Sequence, residues 1–141
     1  MAQISNVRND GFGYVTTGPK QANSYNVSPV NLVATASPGT ILHKKDLANF
    51  DFFNAVQTSA STDQIQLNTS ISVGAEVWIY CVSACKVGTI SGSGITINGG
   101  TDAQLVTLAV GSIYRFLKTS ATTFICNAFD ASAAMTAPTP A

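Results

Sequence analysis

Between Gln64 and Cys126 the chain is a succession of short runs rich in valine, isoleucine, threonine and aromatic residues, each closed by glycine, serine, asparagine or aspartate. This punctuation constrains the fold more than any other feature. The runs are Gln64-Ile65-Gln66-Leu67, Glu76 to Val82, Lys86 to Ile90, Ile95-Thr96-Ile97, Gln104 to Val110, Ile113 to Lys118 and Thr123 to Cys126. β-Branched and aromatic side chains suit a pleated, half-buried surface, and the turn residues end each run. The pattern predicts consecutive antiparallel strands. No heptads are visible, and no repeat with a period of roughly 20–50 residues.

Alternation assigns the faces. In the run from Glu76, residues Val77, Ile79 and Cys81 line one side, and Trp78, Tyr80 and Val82 line the other. Both sides are apolar, so both should be covered. The partner sheet of a sandwich would cover one, and an arm of the chain or a second subunit the other. Upstream, Phe50 and Phe52 share a face with Asn54, while Phe53 and Ala55 take the opposite face. This reads as a strand entering the core, with a protein-contact patch as the alternative. Ser91-Gly92-Ser93-Gly94 reads as a hairpin turn between two strands, and Asn98-Gly99-Gly100 as another. A phosphate cradle would need a helix to start behind these glycines, but strand-like residues follow. Arg115 interrupts an apolar strand. Its stem lies along the sheet with the head in water, or it bridges subunits through a carboxylate.

Composition changes at both ends. Residues 1–40 mix turn sequences such as Asn9-Asp10-Gly11 and Ser37-Pro38-Gly39 with scattered apolar residues, among them Phe12, Tyr14 and Tyr25. The segment is too apolar for a solvated tail and too broken for a layer of its own, so an extended arm is expected there. Residues 41–127 form the β domain. Residues 128–141 are rich in alanine, serine, threonine and proline and form a short C-terminal tail that is flexible or docked. The candidate interface residues are Phe12, Tyr14, Tyr25, Phe50, Phe52 and Arg115.

Charge narrows the function classes. Only 10% of residues are charged, against about 25% in an average soluble protein. The seven basic and seven acidic residues cancel. Such a surface tends to associate, because little net charge keeps copies apart. Nucleic acid is not an expected partner, since Lys44-Lys45 is the only basic pair. No apolar run approaches the roughly 20 residues of a membrane span, and no signal peptide is visible, so synthesis in a cytoplasm is expected.

Catalysis lacks its usual components. The single histidine, His43, lies in a polar stretch before the core and is expected to be exposed or loosely packed. The acids Asp10, Asp46, Asp51, Asp63, Glu76, Asp102 and Asp130 are dispersed, mostly in predicted turns. No loop clusters them for Ca²⁺, and the cysteines match no zinc spacing. Neither an enzyme nor a cofactor or metal is expected. On one straight strand Cys81 and Cys85 would lie about 13 Å apart, too far for a disulfide, unless the chain bends near Ser83-Ala84. With Cys126 they read as buried thiols acting as small apolar groups.

Three pieces carry a resemblance to a known group. They are Ser72-Val73-Gly74-Ala75-Glu76-Val77-Trp78-Ile79, Ile95-Thr96-Ile97-Asn98-Gly99-Gly100, and Leu108-Ala109-Val110-Gly111-Ser112-Ile113-Tyr114-Arg115-Phe116. Residues 58–127 resemble the small β modules of tailed-bacteriophage structural proteins. Those modules often carry a Trp near the last strand, where Phe124-Ile125-Cys126 stands here. The expected fold is an all-β, antiparallel sandwich of jelly-roll type with an N-terminal arm. The resemblance implies a virion component, commonly a homotrimer. The leading expectation is a capsid decoration, or cement, protein on the capsid surface, with the major capsid protein as partner. The alternative is a tail-fibre or receptor-binding module that recognises glycan, which would show exposed aromatics with polar neighbours on its loops.

Overall fold

The computed structural model describes residues 30–43, 50–132 and 134–141. Among these residues there are strands and turns and no helix. The strands are β1 (Val30–Ala34), β2 (Thr40–Leu42), β3 (Phe50–Gln57), β4 (Gln64–Leu67), β5 (Glu76–Cys81), β6 (Cys85–Thr89), β7 (Thr96–Ile97), β8 (Leu105–Leu108), β9 (Ile113–Ser120), β10 (Thr123–Phe129) and β11 (Met135–Thr136). One sheet has seven strands, in the order β11-β10-β9-β5-β3-β1, with β7 also paired to β10. The other has four, in the order β2-β4-β6-β8.

The all-β class expected from the sequence is present, but the antiparallel jelly roll is not. Strand β1 runs parallel to β3, and β3 parallel to β5. In the smaller sheet β2, β4 and β6 are parallel as well. The chain therefore winds in solenoid-like coils: β1 to β2, β3 to β4, β5 to β6. One coil advances 23 residues from Leu32 to Ala55 and 26 from Ala55 to Cys81. On the other sheet the advance is 25 residues from Thr40 to Ile65 and 22 from Ile65 to Val87. The repeat is structural only. Its uneven pitch, and corners of unlike sequence, explain why no period is visible in the residues. Alternation reads the same in parallel and antiparallel strands, so it does not select between them.

Corners, not hairpins, join the strands within a coil. At the first, Gly39 has φ +96°, and a Cβ there would meet Gln64 backbone at 2.7 Å. Only glycine meets both conditions. Thr35 and Gln64 exchange backbone hydrogen bonds beside it. Corners also stack: Thr58 N–H donates to the Ala34 carbonyl, and Val82 N–H to that of Ala55. The expected hairpin at Ser91–Gly94 is likewise absent. Strand β6 belongs to the small sheet, whereas β7 lies parallel to β10 in the large one. Glycines that turn a strand back also carry it across to another sheet.

The third coil is where the pattern changes. Strand β5 is parallel to β3 on one side and antiparallel to β9 on the other. Strand β6 is likewise parallel to β4 and antiparallel to β8. The β9–β10 pair is the antiparallel hairpin the sequence predicts, turning at residues 121–122. One apolar core lies between the sheets, with Val77, Ile79, Phe116 and Phe124 from the larger and Ile65, Leu67, Val87 and Val106 from the smaller. Burying such side chains contributes about 1.5–3 kcal/mol each before the entropy of ordering.

Both ends of the sequence-defined β domain extend further. Residues 30–34, at the end of the expected arm, form β1, and the tail residues Met135–Thr136 pair with β10. Residues 1–29 lie outside the described part of the chain, and with them Phe12, Tyr14 and Tyr25.

Candidate functional site

The large sheet has one face on the core and one face outward. The outward side of β5 presents Glu76, Trp78 and Tyr80 between the buried Val77, Ile79 and Cys81. Pairing register then brings residues from other strands beside them. Phe52 pairs with Trp78, Trp78 with Arg115, and Arg115 with Asn127. Two residues along, Asn54, Tyr80, Ile113 and Phe129 form the next row. In the opposite direction Glu76, Leu117 and Ile125 form a third.

This face is apolar and open. Phe52 is 36% exposed, Tyr80 37%, Ile125 41% and Met135 63%. Trp78 stacks on Phe129 across β9, with ring centroids 5.9 Å apart and planes 15° from parallel. A monomer rarely leaves a contiguous apolar surface of this kind exposed without a use for it.

A polar cluster sits in the middle of the face. Arg115 and Glu76 form a salt bridge at 3.1 Å, each about a quarter to a third exposed. The other guanidinium nitrogen donates to Asn127 Oδ1 at 3.2 Å. The Trp78 indole N–H donates to Glu76 Oε1 at 2.9 Å. The bond from Arg115, then that from Trp78, holds the Glu76 carboxyl below its ordinary value. The cluster fixes four side chains from three strands in one arrangement. It offers charge and hydrogen bonding on a flat apolar ground, which suits recognition of protein.

Of the residues picked out as interface candidates, Phe52 and Arg115 both lie on this face, on either side of Trp78. Phe50 opens β3, opposite Glu76 in register, and only its place in the strand is described. Sequence reasoning left Trp78, Tyr80, Glu76, Asn127 and Phe129 out of its candidates. Alternation already grouped Trp78 and Tyr80 on one side of β5, but with both sides apolar it did not say which faces the core. Strand order was the missing signal, because Asn127 and Phe129 reach Trp78 only through β9.

Elsewhere the polar groups serve the fold. Lys118 is 3% exposed, and its ammonium donates to the carbonyls of Thr69 at 2.9 Å and Ile71 at 2.8 Å. It also lies 5.7 Å from the Phe124 ring centre. Burial pushes its pKa down. The corner after Cys81 brings Cys81 and Cys85 together, which a straight strand forbids. Cys81 donates to the Ser83 carbonyl at 3.4 Å. A hydrogen bond to Cys81, with burial added, holds the Cys85 thiol far above its usual range. Burial pushes Cys126 up to about 12. All three stand as buried free thiols. Among the described residues no three His, Cys, Asp or Glu side chains gather to hold a metal, and no helix is long and apolar enough to cross a membrane.

Comparisons of the chain with protein-family models, with curated proteins and with solved structures found no match.

Proposed function

We propose that this chain is a non-enzymatic structural subunit that works by burying the outward face of its seven-stranded sheet against other protein. The observation that supports this most is the open apolar ground of Phe52, Tyr80, Ile125 and Met135 around an ordered Glu76–Arg115–Asn127 cluster. Buried apolar surface contributes roughly 25 cal/mol per Å² before the costs of association. The scarcity of charge elsewhere in the chain fits the same role. Within this class, the resemblance to tailed-bacteriophage modules implies a virion component, and small size and sparse charge favour a capsid decoration protein bound across major capsid subunits to reinforce the shell. Among the described residues the aromatics lie on strands and not on the loops, which supports this reading over a glycan-binding fibre tip.

Co-sedimentation with purified empty capsids tests the proposal. The full chain is expected to pellet with the shells. Tyr80→Asp, which sets a charge in the apolar ground, is expected to weaken binding about tenfold or more, as loss of an interface anchor does. Binding that ignores the substitution removes the face from the account. Binding to host surface polysaccharide in place of capsid selects the fibre reading, and binding to neither rejects the virion role.

A further inference from the structure

The face supports a more specific statement about its partner. It carries one positive and one negative group side by side at its centre, Arg115 and Glu76, on neighbouring strands. Around them the described residues are uncharged, mostly apolar side chains with the amides of Asn54 and Asn127 among them. Turn a second copy over about an axis lying in the face, midway between the two charges and perpendicular to the line joining them. Arg115 of each copy then lies over Glu76 of the other. A surface with this property is complementary to itself, which is what a two-fold interface requires. From these observations we infer that two copies of the chain pair face to face through the outward side of the large sheet.

The groups are prepared for it. Arg115 spends two of its five N–H donors on Glu76 and Asn127. Glu76 spends one bond from each oxygen, on Trp78 and Arg115. The remaining donors of Arg115 and lone pairs of Glu76 are left for groups on the other copy. Because the bonds within one copy already fix the rotamers, pairing orders little that was free. The surrounding rings and aliphatic side chains exclude water from four charges that alternate in sign. A foreign partner would need the same alternation in the right place; a second copy has it by construction of the symmetry.

This inference rests on the proposed function in its general form, burial of the face against other protein, and assigns the face to a second copy, with which a capsid subunit would compete for the same surface. Light scattering on the full chain tests it. The unaltered protein is expected to have the mass of two chains at micromolar concentration. R115E places Glu over Glu across the axis, and E76R places Arg over Arg. Each variant alone is expected to be a monomer, with a dissociation constant raised about tenfold or more, since like charges facing each other oppose docking. Mixed in equal amounts, the two variants are expected to recover the dimer, because every contact across the axis is again between opposite charges. Circular dichroism shows whether each reversed chain keeps its strands. If one does not, R115Q and E76Q, which remove a charge without reversing it, are each expected to weaken pairing.

An unaltered protein that stays monomeric at every concentration overturns the inference, and so does a mixture that stays monomeric when the unaltered chain is a dimer. A mass of three chains, as the phage resemblance implies, also overturns it. Capsid co-sedimentation by a monomeric chain would leave the structural-subunit reading standing and remove only the self-pairing. Loss of capsid binding with the dimer intact would do the reverse.

Discussion

Asp63 closes the second corner of the coil. Its Oδ2 accepts the backbone N–H groups of Thr58, Ser59 and Ala60 at 2.9, 2.7 and 3.3 Å. The bond from Ser59 does most to hold the carboxyl below its ordinary value of 3.8, and burial works against it. The unfolded chain therefore binds this proton more readily than the folded one. The stabilisation is fully present above the unfolded value and is lost as pH falls through the lower folded value. Asp63→Ala is expected to lower the urea midpoint at pH 6, and the gap from the unaltered protein is expected to narrow as the pH drops below 3.8. Glu76 and Asp130 shift in the same direction, so both proteins weaken in acid and the narrowing is the diagnostic. A gap independent of pH would assign the corner to packing and not to the carboxylate charge. Lys118 marks the limit of reading single residues. Alternation places it with Tyr114 and Phe116, and it does point inward with them. Its acceptors come from the return loop at residues 69–71, about fifty residues earlier, and no local pattern announces them.

Among the elements, the tail after β10 depends on one side chain from another part of the chain. Asn98 sits at φ 48°, a left-handed conformation that Asn tolerates better than most residues. Its Oδ1 accepts the Cys126 N–H at 2.8 Å, and its amide donates to the carbonyls of Cys126 and Pro138 at 2.9 Å each. From Pro138 the tail passes Gly100, where a Cβ would come within 2.9 Å of Pro140. Ala141 then exchanges both backbone hydrogen bonds with Leu105, pairing with the outer edge of β8. Asn98→Ala removes three bonds and keeps the unfavourable φ, so it is expected to cost about 2–3 kcal/mol. Asn98→Gly relieves the φ and loses the same bonds. Both variants are expected to speed amide exchange at Ala141 and Leu105 while leaving β3 unchanged. Exchange at those amides equal to that of the unaltered protein would show the tail held without the clamp. The sequence offered a choice here between a flexible and a docked tail. It could not decide, because the clamp lies in a turn whose Asn-Gly-Gly sequence already had a local explanation.

At the scale of the molecule, what the residues made legible was the strands and the division of each into two faces. The buried Val77, Ile79, Cys81, Phe53 and Ala55 fall where alternation puts them. What stayed hidden was which strand neighbours which. A Gly-rich turn serves equally for a hairpin within one sheet and for a corner between two, and the coil pitch varies too much to show as a repeat. The outcome matters for stability. A stack of parallel coils alone would hold only nearest neighbours and unravel from its ends. Here β5 and β6 each join the parallel coils to antiparallel strands, and one core runs beneath both parts. Coils and hairpin should therefore unfold together. Ile79, fully buried on β5, borders both. Ile79→Ala is expected to cost about 2–5 kcal/mol. Leu32→Ala is expected to cost less, since Leu32 lies on β1, which among the described residues pairs with β3 alone. In urea, Trp78 fluorescence reports β5 and far-ultraviolet dichroism reports every strand. The two curves are expected to coincide in the unaltered protein and to move together in both variants. A dichroism curve that begins to fall before the Trp78 signal, most of all in Leu32→Ala, would mean that the first coil opens by itself and that the shared core does not bind the molecule into one unit.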